Sequence, residues 1–508
     1  MKTRRSPAAK PWLLLIAVLS AFSLLAAACG GSDDAASDDG ADTEADAGAE
    51  AEEEEEAMED EEEEAMEDEE EAMEDEEEAM EDEEDGAAAD GDVSINVAIV
   101  GNPQLDDIAA LTPELFTAES GITVNFTVLE EQALREITTR EVGAGGDQFD
   151  VVQIGMFEAP QFAENGWLVD LQPLAEADAD YNIDDLIPAV RDGLSFEGNL
   201  HASPFYAESS FIMYRADLLD EAGLTMPDAP TWDEVAEIAR AIDSDETAGI
   251  CLRGLPGWGD LGASFTTVLN TFGGTWWEAN DDGSIGAAQV DQPEYAEALN
   301  FYVDLINDAG QDDAANSSFN QCLALYQAGE VAMWYDATVA AGILEGDDSP
   351  VQGLNDFALA PTNVTDASGW LWSWAFAIPV STTNQEAAWE FVSWATSEEY
   401  ISAAGPLIPG GFAALPPGTR TSTYENPDYL AAAESFAQRT LDAMNAAPIN
   451  NPGTTPRPGL PGVQYVGVPE FQDVGTRCTE QFSSAIAGNT SVDDALAACQ
   501  AIASEVSS

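Results

Sequence analysis

Residues 93–154 read VSINVAIVGNPQLDDIAALTPELFTAESGITVNFTVLEEQALREITTREVGAGGDQFDVVQI. From Val93 to Val100 apolar residues alternate with small or polar ones, the period-two pattern of a strand with one buried face. Asp106 to Ser120 changes to helical spacing and closes at Gly121, a residue suited to the left-handed turn at a helix C-terminus. Ile122 to Leu129 reads as a second strand, Glu131 to Val142 as a second helix, and Asp150 to Ile154 as a buried third strand. Strands that alternate with helices predict a mainly parallel sheet, because a parallel neighbour needs a long crossover. The same rhythm returns at Thr231 to Ile242, where Thr231 and Glu234 have the spacing of a capping box. The fold class is therefore α/β.

Moving outward, the body from residue 93 to the end is too long for one ordinary core and suits two lobes. Pro- and Gly-rich segments at 405–418 and 448–462 read as loops that interrupt the late helices. In open α/β sheets ligands sit at the carboxyl ends of the strands, and with two lobes the site is the cleft between them.

Residues 1–92 follow different rules. Lys2, Arg4, Arg5 and Lys10 precede an apolar run from Trp12 to Leu25, and the small residues Ala26-Ala27-Ala28 precede Cys29. This is the pattern of a secretory signal, 1–28. This 14-residue run falls short of the roughly 20 residues that span a bilayer. Cys29-Gly30-Gly31-Ser32 is similar to the lipobox of bacterial lipoproteins, with Ala26 where that motif has leucine, which makes Cys29 the expected lipidated N-terminus. Residues 29–92 read as an extended acidic tether. Positions 50–85 hold only Ala and Met besides Asp and Glu, with Ala-Met recurring at 57, 65, 72 and 79. Adjacent Ala and Met among like charges cannot form the three-and-four seam of a coiled coil.

The tether does not account for all of the acidity. From residue 93 onward 63 acidic residues face ten arginines. Such a surface repels nucleic acid and anionic lipid headgroups. Beyond residue 10 there is no lysine, and His201 is the one histidine. These absences exclude a phosphate-loop lysine, a Schiff-base lysine and any two-histidine metal site. No cofactor and no metal are expected. Cys251, Cys322, Cys478 and Cys499 form an even set in an exported chain, which points to two disulfides. Of three possible pairings, Cys251–Cys322 and Cys478–Cys499 are favoured, the second because both cysteines lie in one C-terminal helical stretch.

Aromatic residues gather where turns should face the cleft: Trp258, Trp276 and Trp277, and Trp334 in Trp334-Tyr335-Asp336. The densest group is Trp370, Trp372 and Trp374, which period two places on one face of a strand. A sugar's C–H face packs on an indole, while its hydroxyls need acceptors and donors held away from water. Glu208, Arg253 and Asp336 are the charged candidates, and Asn102, Tyr206 and Trp258 complete the expected ligand-binding set. The residues alone leave a second class open, a glycoside hydrolase with paired carboxylates, although no signature for such a pair is present.

Blocks along the whole body carry a resemblance. They include Phe149-Asp-Val-Val-Gln-Ile-Gly, Gly166-Trp-Leu-Val-Asp-Leu, Pro204-Phe-Tyr-Ala-Glu-Ser-Ser-Phe-Ile-Met-Tyr-Arg, and Gly249-Ile-Cys-Leu-Arg-Gly-Leu-Pro-Gly-Trp-Gly. Later come Met333-Trp-Tyr-Asp-Ala-Thr and Trp370-Leu-Trp-Ser-Trp-Ala-Phe-Ala-Ile-Pro. The chain resembles the family 1 extracellular solute-binding proteins of ABC importers, and within them the sorbitol/mannitol (polyol) group. The resemblance implies a two-lobe fold of the maltose-binding type, with 93–207 plus 373–404 as one lobe and 208–372 plus 405–508 as the other. It implies a monomeric, extracytoplasmic receptor without enzymatic activity that closes on a sugar alcohol, or on a maltose-type oligosaccharide, and meets permease subunits at the membrane. In maltose-type relatives the glutamate entering the strand after Pro204-Phe-Tyr-Ala contacts sugar, which implies that role for Glu208. The acidic repeat has no counterpart in the family pattern.

Overall fold

The period-two segment at the start of the body is a strand, β1 (Ser94–Val100), in the computed structural model, which describes residues 93–507. Cys29, the signal segment and the tether lie outside the described residues. Helix α1 (Pro103–Thr112) starts three residues before the expected Asp106, because the Asn102 side chain caps it by accepting from Leu105 N. Pro113 has no N–H to donate, and the chain there widens into a π-helical turn, Pro113–Thr117, before a last turn ends at Gly121 with φ 76°. The helix expected over 106–120 is thus present up to its Gly121 cap, with a π-helical turn where its proline falls. Strand β2 (Thr123–Leu129), helix α2 (Glu131–Ala144), strand β3 (Val151–Gly155) and helix α3 (Glu158–Glu164) follow.

Two strands of this first sheet arrive from far along the chain. The sheet order is β2-β1-β3-β8-β4, with β4 at Ser203–Glu208 and β8 at Trp372–Ala377. β1 is parallel to β2 and β3, whereas β8 is antiparallel to both β3 and β4. Four strands therefore point one way and β8 points the other. The second sheet, β6-β5-β7, contains β5 (Ser210–Arg215), β6 (Met333–Ala337) and β7 (Asn355–Leu359), all antiparallel. Single bridges add residues Ala248 and Cys251 parallel to its edge. The expectation of a mainly parallel sheet holds for the first sheet and fails for the second.

Connectivity explains the reversed strand. The chain leaves the first sheet at Glu208 and enters the second at Ser210, with Ser209 alone between them. It returns between Leu359 and Trp372, so β8 starts at the end of the sheet where β1, β3 and β4 finish. That end faces the start of β5 and the end of β6. Helix α4 (Trp232–Ile242) has the complete capping box of Thr231 and Glu234.

Both favoured disulfides are present. Cys251–Cys322 ties the added edge segment to helix α5 (Phe319–Gln327). Cys478–Cys499 joins helix α6 (Glu470–Ile486) to helix α7 (Val492–Ser504). The cysteines of the second pair sit on two helices packed side by side and not in the one helical stretch expected. Twenty-one residues along one helix would separate them by about 30 Å, whereas their Cα atoms are 4.8 Å apart. Among the described residues no helix is long and apolar enough to cross a membrane.

Candidate functional site

Where the two sheets' ends meet there is a cleft enclosing about 760 Å³ of empty space, open water included. Its floor follows from strand register. Trp372 stands opposite Glu208, and Trp374 opposite Tyr206. Directly paired residues share a face, so two indoles, a phenol and a carboxyl project together. Gly155 on β3 lies opposite Trp374 and leaves room for the Trp372 indole, since a Cβ at 155 would stand 1.9 Å from that ring. Trp370 precedes β8 rather than belonging to it, which corrects the expectation of three indoles on one strand face. It still lines the cleft, with its ring edge-on to Tyr335.

Behind the floor sits a guanidinium caged by aromatic rings. Arg135, on the second turn of α2, places its Cζ 4.1 Å from the Trp258 ring centroid, 4.6 Å from Trp374 and 5.1 Å from Trp372. Arg135 donates to Glu131 Oε1 at 2.8 Å through Nη2 and at 3.2 Å through Nε. Its Nη1 donates to Glu158, whose other oxygen accepts from Gly155 N at 3.0 Å. A desolvated cation over an indole is worth about 2 kcal/mol or more. Three such faces and two carboxylates hold Arg135 in one place and set the tilt of the floor.

The second arginine is held from the other sheet. Arg253 Nε and Nη2 donate to the two oxygens of Asp336 at 2.8 and 2.7 Å, and Nη1 donates to Gly259 O at 3.1 Å. Asp336 also accepts from Trp334 Nε1 at 3.1 Å and Ala337 N at 2.7 Å. Four donors use the carboxylate's acceptor capacity. Asp336 is fully buried and stands behind Arg253, outside the cleft lining.

The remaining polar groups point inward with fewer partners. Burial pushes the Glu208 carboxyl well above its ordinary range; Arg253 opposes this shift, and Asp336 and Glu131 add to it. The Trp370 indole N–H lies toward Glu208 without completing a hydrogen bond. Asp260 is pushed up by burial and then by Glu131, and its Oδ2 has no hydrogen-bond partner. Trp258 Nε1 and Gln464 Oε1, also on the lining, are buried without partners. Asn102 Nδ2 donates to Tyr206 OH at 2.9 Å, so one amide caps α1 and fixes a cleft phenol. At the rim Asn320 Nδ2 donates to Gly101 O at 3.0 Å.

Eight of the nine expected ligand-binding residues line this one cleft, namely Asn102, Tyr206, Glu208, Arg253, Trp258, Trp370, Trp372 and Trp374; Asp336 does not. Trp276 and Trp277, expected at the cleft, instead pack inside the second lobe against Phe471, with their N–H groups on Thr266 Oγ1 and Ala503 O. Trp334 is likewise buried, against Phe319. Sequence reasoning missed Glu131, Arg135, Asp260, Asn320 and Gln464. Glu131 and Arg135 had a usable signal: they lie four apart in the helix that begins at the carboxyl end of β2. Among the described residues no group of side chains could hold a metal ion.

Two lobes whose strand ends enclose an indole floor, matched guanidiniums and unpartnered polar atoms define a class of proteins that grip small polar molecules in an interlobe cleft. The chain belongs to the bacterial extracellular solute-binding protein family, whose model matches residues 102–401; this membership places the body outside the cytoplasm. It is 40% identical over 418 residues to a mannitol-binding protein of Pseudomonas aeruginosa, covering 81% of this chain and 92% of that one. A crystal structure of an ABC transporter solute-binding protein from Agrobacterium vitis, with bound D-mannitol, superposes with a TM-score of 0.77 at 44% identity, over 81% of this chain and 97% of that one. Maltose-bound T. maritima MalE3 shares the fold at 21% identity and a TM-score of 0.67, over 81% and 99% of the two chains.

Proposed function

We propose that this protein captures a linear sugar alcohol, with D-mannitol as the reference ligand, and delivers it to the permease of an ABC importer. The observation that carries the reading is the cleft itself: an indole floor for the C–H edge of the ligand, ringed by Glu208, Asp260, Arg253, Asn102 and Tyr206 for its hydroxyls. The relative named for mannitol and the structure holding D-mannitol support this choice. Residues 93–207 with 373–404, and 208–372 with 405–508, act as two bodies that close on the ligand. Closure removes water, so each polar contact strengthens. The protein works as a monomer and performs no chemistry. Cys29 anchors it by lipid, and the acidic tether gives it reach above the membrane.

A thermal-shift and calorimetric panel of alditols, hexoses and maltodextrins tests the reading. Stabilisation by mannitol, sorbitol or arabitol is expected. Stabilisation by maltose with no response to any alditol would move the assignment to an oligosaccharide receptor. Turnover of aryl-glycosides would replace the receptor with a hydrolase. The mass of the mature N-terminus tests lipidation of Cys29.

A further inference from the structure

The cleft's charges are unevenly matched. Glu131, Glu208 and Asp260 line it, with Glu158 and Asp336 directly behind, Glu130 at the rim, and only Arg135 and Arg253 opposite. Neither guanidinium has positive charge to spare. Arg135 is enclosed by indoles and paired to Glu131 and Glu158. Arg253 is paired to Asp336, with Asp260 at 3.6 Å and Glu131 at 3.9 Å from its Nη1. Two carboxyls are left without an ion pair of their own quality. Glu208 is 6% exposed and Asp260 2% exposed, and Asp260 Oδ2 has no partner.

Resting on the alditol reading above, we infer that the cleft sorts alditols by charge: it takes an amine-bearing alditol alongside the neutral one and refuses the corresponding aldonate. An ammonium at one end of the chain adds a counter-charge beside Glu208, which has no ion pair among the described residues, and beside Asp260, whose ion pair is the 3.6 Å contact with Arg253, and it donates charge-assisted hydrogen bonds to them. Burial, which pushes both carboxyls upward by penalising their charged forms, is then offset by the bound cation. A carboxylate in the same place meets no uncommitted cation and becomes an unpaired buried charge beside like charges. The neutral alditol falls between these cases.

The test compares D-mannitol, 1-amino-1-deoxy-D-mannitol and D-mannonate by calorimetry on the mature protein. The two ends of D-mannitol are equivalent by symmetry, so the series changes one terminal group and nothing else. The amine should bind more tightly than mannitol, and mannonate about 100-fold or more weakly. The ranking should persist in about 1 M salt, where the screening length is about 3 Å and the overall acidity of the body no longer contributes. Glu208→Gln or Asp260→Asn should lower the ratio of amine to mannitol affinity about tenfold. If neither variant folds, the three-ligand series on the unaltered protein decides. Mannonate binding within tenfold of mannitol, a ranking lost in salt, or an affinity ratio unmoved by both variants would overturn the inference. Mannitol binding without amine binding would overturn it while leaving the alditol reading in place; silence from both would overturn the two together.

Discussion

Removing the Asp336 carboxylate tests whether a residue outside the cleft governs what happens inside it. Asp336→Ala takes away the bidentate partner of Arg253 together with the acceptors of Trp334 Nε1 and Ala337 N. Deleting one member of a buried ion pair costs about 3–5 kcal/mol, because the other charge is left uncompensated. Asp260 and Glu131 still stand 3.6 and 3.9 Å from Arg253 Nη1, so the lower end, about 3 kcal/mol, is expected. Asp336→Asn should cost nearly as much, since one of its atoms becomes a donor facing donors. Trp334→Phe removes one of the four hydrogen bonds, about 1 kcal/mol, and part of a buried indole packed on Phe319, so about 2 kcal/mol in all is expected. Urea unfolding of the three variants, compared with the unaltered protein, gives the stability series. Calorimetry with the bound alditol gives the second readout: the freed guanidinium turns toward Asp260, and affinity falls at least about tenfold, or about 1.4 kcal/mol. Unchanged stability would refute the claim that Asp336 neutralises Arg253. A stability loss with full affinity in the folded fraction would refute the claim that it positions Arg253 for the ligand.

Gly155→Ala puts a methyl 1.9 Å from the Trp372 ring; overpacking of about 1–3 kcal/mol, weaker alditol binding and altered tryptophan emission are expected, and unchanged affinity and emission would contradict this. Burial, with Asp106 and Asp348 adding to it, pushes Asp107 up to about 6, above its ordinary value of 3.8. A raised carboxyl weakens the folded state above that window, so Asp107→Asn should stabilise at pH 7. The gain is less than about 1 kcal/mol because the group is partly exposed, and it fades as pH falls from about 6 toward 3.8; pH-dependent denaturation measures it. Cys478→Ser opens a crosslink over 21 residues and should cost about 3 kcal/mol, read from the unfolding midpoint under oxidising conditions.

The alternation at Val93–Val100 and the capping box at Thr231 were legible because each is a local pattern with one physical cause. The Trp372 and Trp374 face was legible for the same reason. The even set of exported cysteines predicted two disulfides, while the contact that pairs Cys478 with Cys499 is made between two helices. What escaped depends on partners distant in the chain. A tryptophan beside glycine reads alike at Trp258, which walls the cleft, and at Trp276, which fills a core; Phe471 and Thr266 decide the second, and Phe471 lies far along the chain. Glu208 and Asp336 were both recognisable as charged candidates beside strands. Which lines the cleft and which stands behind an arginine follows from β4–β8 and β5–β6 pairing, and no local spacing encodes that. The direction of β8 was hidden because it follows from where the chain comes from. Asp260 and Gln464 lie in segments rich in glycine and proline, where periodicity is silent.

The reversed strand β8 has an evolutionary consequence. One segment both carries the chain back between the two sheets and supplies two indoles of the floor, so any change to Trp372 or Trp374 also changes a crossing point. New ligand preferences are more accessible through the walls, at Asn102, the Arg253–Asp260 loop and Asn320, where single substitutions leave the crossing intact. Divergence among relatives of this protein should therefore concentrate on those loops, with the floor inherited as a block.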